Sequence, residues 1–160
     1  MKKFLSLLLT VMLLAGCFSV NAYAEETVYP KVIHSYTATE DFASDEWSTA
    51  QRGAYLLSGR SSISRPDSTH INISGNTVAT QTCDKIILVL YVERSTSYAT
   101  GYGNYKTYAY SAENVYQLTK AISNIKVDRG YYYRVKGVHS VTENGITETT
   151  DSVTNPIDYR

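Results

Sequence analysis

The side chains best equipped to bind a metal or carry a proton are three histidines, and they stand far apart at His34, His70 and His139. A catalytic zinc needs three converging protein ligands, often two histidines one helical turn apart, and neither H-x-x-x-H nor H-E-x-x-H occurs. No metal and no cofactor is expected, and His139, which shares a strand face with Tyr131 near the strand's end, reads as a hydrogen-bonded histidine at a sheet margin. Acyl transfer lacks its strand-to-helix G-x-S-x-G elbow. A Ser, a His and an Asp could still meet in space, because a triad is a geometry and not a spacing. Glycoside hydrolysis requires two carboxyl groups facing each other across roughly 5–10 Å. Glu93, Glu143, Glu148 and Asp151 are the candidates, and no spacing singles out a pair. Gly101-Tyr102-Gly103-Asn104-Tyr105-Lys106 lacks the third glycine and the helix of a phosphate loop. The chain is therefore expected to be no enzyme.

Tyrosine is the residue type that stands out. Of 15 tyrosines, five fall within STSYATGYGNYKTYAY, at Tyr98, Tyr102, Tyr105, Tyr108 and Tyr110. Glycines let such a loop adapt, while tyrosine offers a rigid apolar face with a polar tip. Those properties suit stacking on sugar rings or a paratope-like contact, so the expected ligand is a glycan or a protein. The competing reading has Tyr108 or Tyr110 facing a core while the others shield an edge strand.

The N-terminus says where such a ligand would be met. Lys2 and Lys3 precede an uncharged apolar run, Phe4 to Ala15, and Ala22-Tyr23-Ala24 puts small residues where a signal peptidase reads. The run is short of the roughly 20 residues of a membrane span, and no later run approaches that length. Residues 1–24 are read as a signal peptide of a secreted, extracellular protein. The alternative is written in Leu14-Ala15-Gly16-Cys17, which resembles a lipobox and would leave the chain lipid-anchored through Cys17 to the outer face of the cytoplasmic membrane. Cleavage after Ala24 removes 24 of the 160 residues and leaves 136, enough for one domain with a real core. Loss of Lys2 and Lys3 also turns 15 basic and 15 acidic residues into 13 and 15, a nearly neutral surface unlike the basic field of a nucleic-acid binder. Nucleic acid is not an expected partner, and a monomer is expected. Cys83 is then the last cysteine, with no intramolecular disulfide to make, and reads as a small buried apolar residue.

The elements that must position the tyrosines are strands. Residues 25–60 are mixed and poorly periodic. They read as a linker and an irregular segment in which Ser44 before Glu46 and Ala50-Gln51-Arg52 would allow a short helical turn, packing on the domain through Trp47, Tyr55 and Leu56. From 61 to 160, threonine, isoleucine, valine and tyrosine dominate, with turn residues at short intervals. His70–Ile73 alternates and stops at Ser74-Gly75-Asn76, and Thr77–Thr82 forms a second run. Lys85–Glu93 is apolar on both faces and reads as a central strand. Asn104–Tyr110 is a weaker strand, and Val115–Val127 another, with Tyr116, Leu118 and Ile122 inward. Asn144-Gly145, the favoured type I′ pair, joins Tyr131–Val141 to Ile146–Val153. About seven short strands at this spacing predict an all-β fold, a single antiparallel β-sandwich with immunoglobulin-like topology.

The run GYYYRVKG sharpens that expectation. Period 2 puts Tyr131, Tyr133, Val135 and Gly137 on one face, and Tyr132, Arg134, Lys136 and Val138 on the other. The first set resembles the penultimate strand of fibronectin type III domains, which implies that this face lies between the sheets and that Tyr131 is the tyrosine corner. TCDKIILVLYVERSTSYATGYG with GYYYRVKGVHSVTENGITETTDSVT resembles a family of small secreted proteins of Gram-positive gut bacteria that carry a domain of unknown function. The resemblance covers roughly 45–158 and implies secretion and a compact β domain, and it brings no catalytic residues.

Overall fold

A computed structural model describes residues 32–49 and 54–160. The expected leader and cleavage site, Cys17 and the Ala50–Arg52 stretch lie outside these residues. Eight antiparallel strands make up the described chain: β1 Val32–Ala38, β2 Phe42–Thr49, β3 Leu56–Ser64, β4 His70–Ser95, β5 Gly103–Lys126, β6 Tyr132–Glu143, β7 Ile146–Val153 and β8 Ile157–Asp158. Among the described residues there is no helix, and so none long and apolar enough to cross a membrane. The all-β, antiparallel expectation holds.

One curled sheet contains all eight strands, and β4 with β5 forms its spine. The first half of β4 pairs with β3, and β2 and β1 follow outward. Its second half pairs with β6, to which β7 and the short β8 are added. The spine bends where Val78 pairs with Gln117 and Cys83 with Val115, so that Ala79, Thr80, Gln81 and Thr82 all stand opposite Tyr116. Such an excess of residues on one strand forces a sharp bend and extra twist. Asn114 absorbs part of it at φ 55°, a left-handed conformation that asparagine tolerates better than most residues.

The bend folds the first half of the sheet over the second, and alternation fills the space between. Ile63, Ile71 and Ile73 come from one half and Leu88, Leu90, Val135 and Val141 from the other, all essentially without solvent contact. Each such side chain contributes about 1.5–3 kcal/mol relative to exposure. Small residues set how closely the halves approach. A Cβ on Gly75 would lie 2.7 Å from Leu90 Cδ2 and 3.0 Å from Leu88 Cδ1. Two carboxylates then tie the halves together at their margins. Glu148 of β7 accepts the backbone N–H groups of Tyr55 (3.0 Å) and Leu56 (2.6 Å). Asp45 of β2, itself buried, accepts the N–H of Val153 (2.7 Å) and faces His34 Nδ1 at 3.2 Å.

Several expectations are corrected by this arrangement. Ser74-Gly75-Asn76 is not a turn: His70 to Ser95 is one strand, and Gly75 is glycine because Leu88 and Leu90 occupy the space its Cβ would need. The 104–110 and 115–127 strands are likewise one element, β5. The 25–60 stretch, expected to be irregular, carries β1, β2 with Ser44–Glu46 inside it, and the start of β3. Trp47, Tyr55 and Leu56 nevertheless pack against the core as expected. Tyr116 points outward, 59% exposed, because the bend interrupts the alternation that leaves Leu118 buried. The β6 facing holds for Tyr133, Val135, Gly137, His139 and Val141, all inward, while Tyr132, expected on the outer face, is buried beneath Tyr98 and Arg160. The tyrosine that bonds back to the chain is Tyr133, not Tyr131. Its hydroxyl donates to the Asp128 carbonyl (3.0 Å) and accepts the Asp128 N–H (2.9 Å). The Asn144-Gly145 turn has φ 50° and 76°, as a type I′ hairpin requires.

Candidate functional site at the tyrosine-rich end

The β4–β5 connection is built so that its aromatic side chains are held in place. Ser95 at the end of β4 donates from Oγ to the Thr100 carbonyl (2.6 Å) and accepts the Ser97 N–H (3.0 Å). Gly101 at φ 76° turns the chain back toward β5, and the Tyr102 hydroxyl donates to the Tyr98 carbonyl (2.9 Å). The loop is closed by its own polar groups, so its tyrosines are pre-positioned.

The five candidate tyrosines do not form one surface. Tyr98 and Tyr102 belong to the outer side of the end, where Tyr98 meets Tyr132 edge-on at 5.5 Å and Arg134 lies 4.0 Å over the Tyr102 ring. Tyr105, Tyr108 and Tyr110 lie half-buried against the core. The register shift between Val92 and Glu93 turns Tyr105 toward the Tyr133 ring, 5.6 Å away, and its hydroxyl donates to the Lys126 carbonyl. Tyr108 and Tyr110 pair with Leu90 and Leu88, whose side chains face inward, and so flank the core at the open edge of the spine. Burial raises the phenol pKa of Tyr102, Tyr105 and Tyr108, so these groups are neutral hydroxyls at neutral pH.

Three arginines of this end are already committed. Arg94 sits between the rings of Tyr105 (4.6 Å) and Tyr131 (4.4 Å) and pairs with Asp128 at 2.7 Å. Arg134 pairs with Glu93 at 2.7 Å, and Arg160 covers Tyr132 at 4.3 Å while pairing with Asp158. Lys136 is 3.3 Å from Asp151. Each of these three guanidiniums thus has an aromatic face and a carboxylate, an arrangement that orders the end of the sheet. Nothing in the spacing of these residues announced the ladder, although YYYR beside the isolated Arg94 hints at it. Tyr98, 57% exposed, is the aromatic of this end most open to solvent.

The remaining candidates have structural partners. His139, expected at a sheet margin, is fully enclosed between the halves, where its Nδ1 meets Thr77 Oγ1 and its Nε2 meets Ser152 Oγ, both at 2.9 Å. Ser152 continues to Ser61 Oγ at 2.7 Å. A serine beside a histidine supplies two of a triad's three members, yet the third position is held by a threonine and Ser61, Thr77, His139 and Ser152 are all sealed in the core. Burial lowers the imidazole pKa to about 4, against a smaller opposing pull from Asp151. Of the four carboxylates, Glu93 and Asp151 serve the ion pairs above and Glu148 ties β7 to β3. Glu143 accepts the Asp84 N–H at 2.8 Å. His34 faces Asp45, and His70 lies 3.0 Å from Asp67, so the three histidines do not gather. Cys83 is buried, and desolvation raises its thiol pKa, which makes it a poor nucleophile.

The model of a family of unknown function, DUF6147, matches residues 21–157. The chain belongs to this family. The match includes β1, β2 and the whole bent spine, so the family's domain begins well before residue 61, where the strand-rich sequence starts. A search of the curated proteins found no match to this DUF6147 sequence.

Proposed function

We propose that this DUF6147 protein is a non-enzymatic extracellular binding module that contacts a partner protein through Tyr98 and Tyr102. The observation that carries the reading is the state of Tyr98. It projects from a loop closed by its own hydrogen bonds, is largely exposed, and rests edge-on against a buried ring. A rigid aromatic that loses little side-chain entropy on contact is the type of residue that anchors protein interfaces. Neither Tyr98 nor Tyr102 lines the cavities of about 530 and 360 Å³ found elsewhere on the sheet, whereas a small ligand calls for a cleft.

A photo-crosslinking side chain placed at position 98 and expressed in the native host is expected to yield one discrete protein adduct, strongly reduced by Tyr102→Ala. The same side chain at the exposed hairpin residue Ile146 serves as the control. Equal adducts from both positions, or none from position 98, would reject the reading. Delivery follows from the leader: intact-mass analysis of protein from the medium is expected to start at Glu25. A lipid-modified Cys17 as first residue, in the membrane fraction, would replace secretion with surface anchoring.

A further inference from the structure

The outer face of the first half of the sheet differs in chemistry from everything described above. Along β4 the outward residues are Asn72, Ser74 and Asn76, beside Ser62 and Arg60 of β3 and Thr119 and Ala121 of β5. Two open cavities lie on this side, of about 360 and 530 Å³. They share Gln117 and Thr119 as a common wall, so they form one trough. Phe42 lines it at one end and Tyr116, 59% exposed, at the other. Ser62, Ser74 and the backbone at Gly75 keep the floor shallow. We propose that this trough binds a neutral oligosaccharide.

The polar groups of the trough are arranged rather than merely present. Asn76 Oδ1 accepts from Thr119 Oγ1 (2.7 Å) and from Gln117 Nε2 (2.9 Å), and Gln117 Nε2 also donates to Thr119 Oγ1 (3.1 Å). Two donors converging on one oxygen fix the Asn76 amide, and the spent Nε2 fixes that of Gln117. Among the described residues neither Asn76 Nδ2 nor Gln117 Oε1 has a hydrogen-bond partner. A preset NH₂ donor beside a preset carbonyl acceptor matches neighbouring sugar hydroxyls, which both donate and accept. Arg60 adds further donors: its one side-chain bond among the described residues is a long 3.5 Å contact to Ser44.

Charge selects against other ligands. No carboxylate lines either cavity, which disfavours a cation, and the single guanidinium stands opposite Glu46 across the β2–β3 pair, which disfavours a strongly anionic ligand. The aromatic rings at the two ends offer apolar faces to the C–H faces of sugar rings. The trough uses none of the residues assigned to the protein contact, so the two readings stand or fall separately.

The test uses the intact secreted protein on an array of neutral and acidic oligosaccharides, with hits titrated by calorimetry. Neutral glycans are expected to bind, with affinity reduced at least 10-fold in Gln117→Ala and in Tyr116→Ala and unchanged in Tyr98→Ala. Both changes are at exposed positions, and matching thermal midpoints with the parent show that the fold is kept. Loss of binding in Tyr98→Ala alone would move the glycan site to the loop. Hits confined to acidic glycans, hits that survive both trough substitutions, or no hits at all would overturn the proposal.

Discussion

Replacing Gly59 with alanine is expected to lower stability by roughly 2–3 kcal/mol, the upper range for forcing a methyl group into a packed core. The reason lies in the ring that faces it. A Cβ at Gly59 of β3 would collide with the Cγ and Cδ2 atoms of His139, which comes from β6 in the other half of the sheet. The imidazole has nowhere to go. It is bonded at Nδ1 to Thr77 and at Nε2 to Ser152, and on its own strand Gly137 leaves so little room that a Cβ there would lie 2.7 Å from Nε2. The methyl group must therefore either part the two halves or break both hydrogen bonds. Urea unfolding would read the loss, with a fall in thermal midpoint on the order of 10 °C. A double-mutant cycle separates this cause from any intrinsic preference for glycine. If the ring is the obstacle, Gly59→Ala combined with His139→Ala is less destabilised than the sum of the two single changes, and strict additivity would exclude the collision.

Acidification from pH 6.5 to pH 4 is expected to remove on the order of 3 kcal/mol of stability through His139 alone. Unfolded, the imidazole binds its proton near pH 6.5; folded, burial delays protonation to about pH 4. Between those values the unfolded chain holds the extra proton, so stability rises with pH across the window. The contribution is complete above the unfolded value and lost as pH falls through the window. The hydrogen bonds are not the cause, since hydroxyls can turn to accept from a doubly protonated ring. What opposes the charge is its removal from water. Asp67 falls outside this window. Hydrogen bonds from the backbone and side chain of Thr69 hold it at about 2, so the stability it lends above pH 3.8 is lost only as pH falls below that value. Denaturant titrations at steps between pH 7 and 4.5 are expected to show a clear slope for the parent and a much flatter one for His139→Gln. Equal slopes would mean that other groups govern the acid response.

How much of this could be read from the sequence differs between the two levels of structure. Alternation along Tyr131–Val141 assigned the inward face correctly, because facing in a strand is local geometry and a one-residue slip would expose the whole apolar set. The two-sided apolar run Lys85–Glu93 marked a strand flanked on both edges, and Asn144-Gly145 marked its turn, because positive φ at two consecutive positions has few solutions. Gly75 misled for a physical reason. A glycine within Ser-Gly-Asn looks like a turn residue, but here its missing side chain makes room for Leu88 and Leu90, which meet it only after the spine bends. The bend depends on an unequal count of residues on paired strands, and that count belongs to the pair rather than to either sequence.

The candidate sites divide in the same way. The tyrosine-rich stretch was recognisable by composition, but its separation into Tyr98 and Tyr102 outside and Tyr105, Tyr108 and Tyr110 against the core follows from a register shift that only pairing reveals. His139 was correctly placed on the inward face and wrongly placed at the margin, since alternation gives the side of a strand and not the depth at which another strand covers it. The trough escaped the sequence reading altogether. Asn76, Gln117 and Thr119 are ordinary polar residues until 41 positions of chain are folded back to put the two amides 2.9 Å apart. What the sequence alone determined is strand character, facing and one turn, all consequences of interactions between near neighbours. The tertiary structure decided where the sheet bends, how deep each residue lies and which polar groups share a surface, because those follow from contacts between residues that meet only when the sheet closes on itself.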